Sequence, residues 1–164
     1  MSVSYWLYFD NQFYKCMDGA YIQSIKGSNK STAMPFVSLK IAGPELTPVQ
    51  KRALQTGFTE LMAGPMHKVH DLTAVAIERI ETSDWSTGAR PSEGRSAYAE
   101  VKVTQGTNSP QEMQKFIAEG HALLTATLGT LPEATYVVVH EIPAQAWGYA
   151  GKTQEARRQL KQAS

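Results

Sequence analysis

Cysteine is almost absent from this chain, and so are long apolar runs and any marked excess of charge. Cys16 is the only cysteine, so no intrachain disulfide and no cysteine-based zinc site can form, which fits a reducing, cytoplasmic setting. No apolar run approaches the roughly 20 residues that span a bilayer, and residues 1–10 lack the basic and apolar regions of a secretory signal. A net charge of +1 argues against a dedicated nucleic-acid or acidic-membrane binder. We therefore expect a cytoplasmic protein with no nucleic-acid and no membrane partner.

Motifs for metals and phosphates are also lacking. The four histidines share no metal-ligand spacing, and the sequence shows no glycine-rich phosphate loop and no recognisable Ser-His-Asp context. The sequence thus predicts no metal site and no cofactor. With 164 residues, 42% hydrophobic and 19% charged, the chain has the size and composition of one compact globular domain.

The chain contains one unit twice. At an offset of 62 residues, two segments align without a gap, so that Thr47-Pro48 falls on Ser109-Pro110. Apolar positions follow the same register, and so do three residues of more specific chemistry, in the pairs Lys40 with Lys102, Thr73 with Thr135, and Trp85 with Trp147. This register indicates that the chain contains two copies of one structural unit.

Each copy reads as a strand, a helix and a second strand. The strands are predicted at residues 36–41 and 73–78 in the first copy, and at 98–103 and 135–140 in the second. Each helix begins with a capping-box pattern, in which Thr47 or Ser109 is followed by proline and then by Gln50 or Glu112. After each second strand come a tryptophan and glycine residues, which indicate a small terminal ribbon.

These units predict an α+β fold, in which two tandem β-α-β units form a four-stranded sheet with two helices on one face. The predicted boundaries are an N-terminal extension at 1–33, the first unit at 34–95, the second at 96–155 and a polar tail at 156–164. A single β-α-β unit is too small to bury its own sheet, so the two copies should pair about a pseudo-twofold axis. The other face of that sheet would still need a cover, and a homo-oligomer is therefore expected.

The first copy begins Met34-Pro35-Phe36-Val37 and carries a late Trp85-x-x-Gly88, and the second ends Trp147-Gly148-x-x-Gly151. With the duplication, this pattern resembles the 4-oxalocrotonate tautomerase group of the tautomerase superfamily, as a fused member in which both units share one chain. The resemblance implies a cofactor-free isomerase that assembles as a trimer. It also implies that Pro35, exposed as an N-terminal secondary amine, is the general base that moves a proton between carbons of a small enol acid.

The chain departs from the pattern of that group in three places. Thirty-four residues precede Pro35, and while they remain its nitrogen is an amide without a basic lone pair. Ala97 stands where the second copy would need its proline. The group's carboxylate-binding arginines are replaced by Ala74, Thr107 and Tyr136, which argues against a dicarboxylate substrate. A start at Met34 would explain the extra residues, and the alternative is a real extension over an inactive or repurposed scaffold.

Four further residues are candidates for binding substrate. Trp85 and Trp147 could form apolar walls of a pocket or could simply cap the ends of the sheet. Arg79, like Arg90 and Arg95 nearby, could replace a missing carboxylate clamp, although a surface charge is the plainer interpretation. Lys40 could orient an acid group or could be a solvent-facing strand lysine.

The function that these features favour is enol–keto proton transfer on a small unsaturated or 2-oxo acid, with Pro35 as base. The same amine could instead activate water or form an imine for decarboxylation. Two rivals remain open. One is a catalytically inactive tautomerase-fold scaffold for binding or assembly, and the other is a dimeric ferredoxin-like barrel that binds a small molecule or haem.

Overall fold

The computed structural model describes residues 34–163, and within residues 1–33 it describes only the backbone of three short strands. The chain divides into two compact units, Met1–Lys30 and Ser31–Ser164. In the first unit the three strands form an antiparallel sheet in chain order. They are β1 (Tyr5–Phe9), β2 (Gln12–Met17) and β3 (Ala20–Tyr21). The predicted extension at residues 1–33 lies mostly outside the described residues, and its two explanations, a start at Met34 or a real extension, both stay predictions.

The second unit contains the two predicted copies and a helix after them. Its strands are β4 (Phe36–Ala42), β5 (Ala74–Ile80), β6 (Ser86–Thr87), β7 (Arg90–Pro91), β8 (Ser96–Thr104), β9 (Tyr136–Ile142), β10 (Gly148–Tyr149) and β11 (Lys152–Thr153). Its helices are α1 (Pro48–Ala63), α2 (Pro110–Leu128) and α3 (Gln154–Gln162), with single 3₁₀ turns at His70–Leu72 and Thr82–Asp84. In the part of the chain that the structure describes, no helix is both long and apolar enough to cross a bilayer.

Four strands form the main sheet in the order β5-β4-β8-β9. The outer pairs β4–β5 and β8–β9 are parallel, and the central pair β4–β8 is antiparallel. Each copy therefore contributes one parallel pair, and the two copies meet in the middle of the sheet. This arrangement, with both helices packed into one core, confirms the predicted α+β fold of two tandem β-α-β units.

One face of the sheet carries the core. Val37, Val101 and Val139 lie side by side across three strands, and the first two are fully buried beneath the helices. Both helices start with the predicted capping boxes, in which the side chains of Thr47 and Ser109 accept hydrogen bonds from the backbone N–H groups of Gln50 and Glu112. Each such cap stabilises its helix by about 1 kcal/mol.

The two helices pack against each other with unequal residues at equivalent places of the repeat. Phe58 and Gly120 are 62 residues apart, and a Cβ atom built on Gly120 would lie 3.4 Å from Cε1 of Phe58. The Phe58 ring also lies 6.3 Å from the ring of Phe116. Phe58 of the first copy thus packs into the space beside Gly120 of the second. A fused chain allows such unequal pairs, because its two copies can differ in sequence.

Trp85 and Trp147 each precede a short hairpin, β6–β7 in the first copy and β10–β11 in the second, as the ribbon prediction required. The predicted polar tail forms most of helix α3. This helix starts at Gln154, so the predicted boundary after residue 155 falls inside it. Thr153 caps α3, and its side chain accepts a hydrogen bond from the N–H of Ala156.

Candidate functional site

The antiparallel contact between β4 and β8 creates two equivalent ends of one ladder. At one end Phe36 faces Lys102, and at the other Lys40 faces Tyr98. We call these the Pro35 end and the Ala97 end, after the residues that precede the aromatic ones. Because β4 and β8 are antiparallel, each end places an aromatic residue of one copy opposite the lysine of the other copy.

At the Pro35 end, the backbone before the strand is held by a side chain of the second copy. Trp147 Nε1 donates a hydrogen bond to the Met34 carbonyl oxygen at 3.2 Å, and the Pro35 carbonyl oxygen accepts from the Ala74 N–H at 3.3 Å. The Pro35 ring is buried. Lys102 Nζ lies 5.8 Å from the centroid of the Phe36 ring. The indole N–H of Trp147 therefore contacts the peptide unit that carries the Pro35 nitrogen, and the Phe36 ring and the Lys102 cation lie at the next residue pair of the ladder.

The hairpin that presents Trp147 is fixed by close backbone packing. The N–H of Gln154 donates to the Trp147 carbonyl at 2.8 Å, which ties the indole residue to the start of α3. A Cβ atom on Gly148 would lie 2.6 Å from the Lys152 carbonyl oxygen, so the hairpin requires glycine there. Arg157 donates to the Tyr149 carbonyl at 2.9 Å and stacks 3.6 Å above the Tyr149 ring centroid.

At the Ala97 end lies a cavity of about 670 Å³. Its walls include the aromatic residues Trp85, Tyr98 and Tyr136, the side chains of Lys40 and Glu100, and the hairpin residues Ser86, Thr87 and Gly88. Aromatic walls with a few polar groups are typical of a small-molecule site.

Glu100 connects the two ends. Its carboxylate accepts hydrogen bonds from Lys102 Nζ at 2.9 Å and from the Tyr98 hydroxyl at 3.1 Å, and it lies 3.1 Å from His140 Nε2. The hydrogen bond from Lys102, supported by Tyr98, lowers the pKa of Glu100 below its ordinary value. Burial, followed by the contact with Glu100, raises the pKa of Tyr98. Glu100 is therefore a charged anchor at neutral pH.

The structure brings only some of the predicted site residues together. Trp147 lies beside Met34 and Pro35, whereas Trp85 and Lys40 share the cavity at the other end. Arg79 pairs with Ile41 in the sheet, so it points to the face opposite Lys40, and its guanidinium is bonded to Glu81 at 3.2 and 3.3 Å. Arg79 therefore lies in the same row as Ile41 and Ala97, but on the face of the sheet opposite Lys40 and the cavity.

Sequence reasoning missed Tyr98, Glu100 and Tyr136. The signal was present, because Tyr98, Glu100 and Lys102 alternate along β8 and must share one face of the sheet. Among the residues that the structure describes, no group of three or more His, Cys, Asp or Glu side chains is arranged to hold a metal ion.

Comparison with known proteins gives consistent results. A family model described as tautomerase enzyme matches residues 98–157, which fall mainly on the second copy. The probable tautomerase K2 of Dickeya dadantii (strain 3937) is 36% identical over 55 residues, which are 34% of this chain and 82% of that protein.

Solved structures agree on the fold. The Q0 fused 4-OT wild-type symmetric trimer superposes with a TM-score of 0.68 at 17% identity, covering 74% of this chain and 98% of the other. The F6 fused 4-OT wild-type asymmetric trimer gives 0.65 at 18% identity, covering 73% and 98%. These likenesses favour the tautomerase fold over the ferredoxin-like barrel. Together with the relative from Dickeya dadantii, they lead to one conclusion: this chain belongs to the tautomerase family of isomerases.

Proposed function

We propose that this tautomerase catalyses enol–keto proton transfer on a small unsaturated or 2-oxo acid, with Pro35 as general base once its nitrogen is a free secondary amine. The observation that carries this proposal is the hydrogen bond from Trp147 Nε1 to the Met34 carbonyl oxygen. That carbonyl is bonded to the Pro35 nitrogen. When Met34 and the residues before it are absent, the Pro35 nitrogen becomes a free amine, and the Trp147 indole N–H beside it loses its acceptor.

The two groups so released suit the reaction. A free α-amino group has a pKa near 8, and the buried surroundings of Pro35 would lower it towards neutrality. The amine would take a proton from one carbon of the substrate and return it to another. The Trp147 N–H would then donate to the substrate oxygen that gains charge as the enolate forms.

Lys102 is the cation that the structure offers for the substrate's acid group at this end. It lies opposite Phe36 on the neighbouring strand, and Glu100 holds its ammonium group in place. A single lysine suits a monocarboxylate better than a dicarboxylate. The Phe36 ring, 36% exposed, supplies an apolar surface for the unsaturated part of the substrate.

We also propose that the chain assembles as a trimer of fused units. The fused 4-OT proteins with the same fold are described as symmetric and asymmetric trimers. In residues 34–163, the face of the main sheet opposite the helices has no covering layer and carries the exposed rings of Phe36 and Tyr136. A neighbouring copy that packs on the centre of this face, around Ser38 and Val138, would cover it and leave the two rings at its ends accessible to ligands.

The test compares two forms of the protein in a phenylenolpyruvate tautomerase assay. We expect the form that begins at Pro35 to be active and the form that retains Met34 to be at least about a hundredfold slower. In the active form, Pro35→Ala should remove a similar factor, whereas the same change in the longer form should have no effect. N-terminal sequencing and intact mass of the native protein identify which form exists.

Two results would contradict the proposal. One is equal activity of both forms, and the other is an active Pro35→Ala variant. A native chain that retains Met34 and is inactive would instead support the scaffold alternative, with the tautomerase fold used for binding.

A further inference from the structure

The cavity at the Ala97 end has a lining that the proposed reaction does not use. Lys40 and Tyr98 face each other across the β4–β8 ladder. They lie four residues along the strands from Phe36 and Lys102, or about 13 Å at the usual rise of a strand. Within one chain the cavity is therefore a place separate from Pro35.

Its one uncommitted charge is a cation. The Glu100 carboxylate is already occupied by Tyr98, Lys102 and His140. Lys40, in contrast, makes no hydrogen bond and no ion pair within residues 34–163, and Glu78, which lies opposite it on β5, is outside the lining of the cavity. An ammonium group without a partner, set among three aromatic side chains, favours a ligand that combines a carboxylate with a flat apolar body.

The cavity lacks a base. Ala97 occupies the place in the second copy that Pro35 has in the first, and its nitrogen is an internal amide within β8. Glu100 is a poor proton acceptor because its oxygens already accept hydrogen bonds. An acid bound here would be held without being converted.

We propose that the cavity at the Ala97 end is a second binding site, which holds a small aromatic monocarboxylate through Lys40 and does not convert it. The hydroxyl groups of Ser86 and Thr87 at its rim can donate further hydrogen bonds to the bound carboxylate. This site does not depend on the role of Pro35, and it would be present in the full chain.

The experiment is calorimetric titration of the full chain with 3-phenylpropionate, a saturated acid that has no enol form to interconvert. We expect saturable binding that Lys40→Met weakens about tenfold or more, as the loss of a charge-assisted hydrogen bond predicts. Lys115→Met, which removes an exposed lysine of α2, should bind like the wild type. The alcohol 3-phenylpropanol should bind the wild type no better than the acid binds Lys40→Met.

A second measurement follows binding in the wild-type protein and does not depend on Lys40→Met. In a ¹⁵N–¹H spectrum, with indole signals assigned from Trp85→Phe and Trp147→Phe, 3-phenylpropionate should shift the Trp85 signal and leave that of Trp147 in place. Absence of saturable binding, unchanged affinity in Lys40→Met, or a shift of Trp147 in place of Trp85 would each overturn the proposal. Failure of this site would leave the Pro35 assay unaffected.

Discussion

Pro35 and Ala97 are equivalent positions of the repeat, each at the start of a central strand, yet only a proline can become a secondary amine at a chain terminus. A lysine and a tryptophan lie near each of these positions. They are Lys102 and Trp147 at the Pro35 end, and Lys40 and Trp85 at the Ala97 end. At the scale of single residues, one side chain thus distinguishes the end that can supply a terminal secondary amine from the end that cannot.

Lys68 is a buried residue whose charge affects stability. Its Nζ donates to Thr107 Oγ1 at 2.8 Å, and burial lowers its pKa from 10.5 to about 8. Between these two values the unfolded chain binds more protons than the folded one, so the free energy of unfolding should rise with pH across this window. We expect Lys68→Met to remove this rise, which should be about 2–3 kcal/mol between pH 7 and pH 10.

Urea unfolding of wild type and variant at about pH 7 and about pH 10 measures the difference. Lys51→Met is the control, because Lys51 is an exposed lysine paired with Glu45, and its loss should leave the pH dependence unchanged. A Lys68→Met protein that still gains stability with pH as the wild type does would show that Lys68 keeps its ordinary pKa in the folded state.

At the scale of elements, the contact between α1 and α2 depends on Gly57. A Cβ atom there would lie 2.5 and 2.7 Å from the two Cδ atoms of Leu123. Gly57→Ala should gain about 1 kcal/mol of helix propensity, but displacing Leu123 should cost about 1–3 kcal/mol. We expect net destabilisation, measured as a lower midpoint of urea unfolding.

The effect of Gly57→Ala on stability should change sign when Leu123 is replaced by alanine. In a Leu123→Ala background the clash is gone, so adding Gly57→Ala should stabilise the protein by the propensity term alone. A double-mutant cycle of the four proteins gives the coupling energy directly. If Gly57→Ala has the same effect in both backgrounds, Leu123 moves aside freely and the helices do not meet as closely as described.

Most of the elements could be predicted from local sequence. The capping boxes at Thr47 and Ser109 locate both helices, because the pattern is set by residues three apart. The offset of 62 residues predicts the sheet, since equal units repeat equal strands. The composition of each end could not be predicted in the same way. Trp85 shares a copy with Pro35, but the antiparallel register brings Trp147 of the other copy to that end.

At the scale of the whole molecule, the open face of the main sheet needs an explanation. Ser38, Glu100 and Val138 lie side by side at its centre, and Ala76 continues the row on β5. This row is small or apolar apart from Glu100, whose charge is compensated within the chain. Such a face is suited to burial against other copies, and assembly would cover Glu100, which lies in this row between the two ends.

We therefore expect Val138→Lys to prevent assembly, because three copies would each bring a further ammonium group into the buried face, beside a Glu100 carboxylate that is already paired with Lys102. Val49→Lys is the matched control, since Val49 is 78% exposed on α1 and the same substitution there should leave assembly intact. Light scattering after size-exclusion chromatography should give three times the monomer mass for wild type and Val49→Lys, and a smaller species for Val138→Lys. A folded Val138→Lys protein with the wild-type mass would mean that copies meet elsewhere and that this face of the sheet is open to solvent.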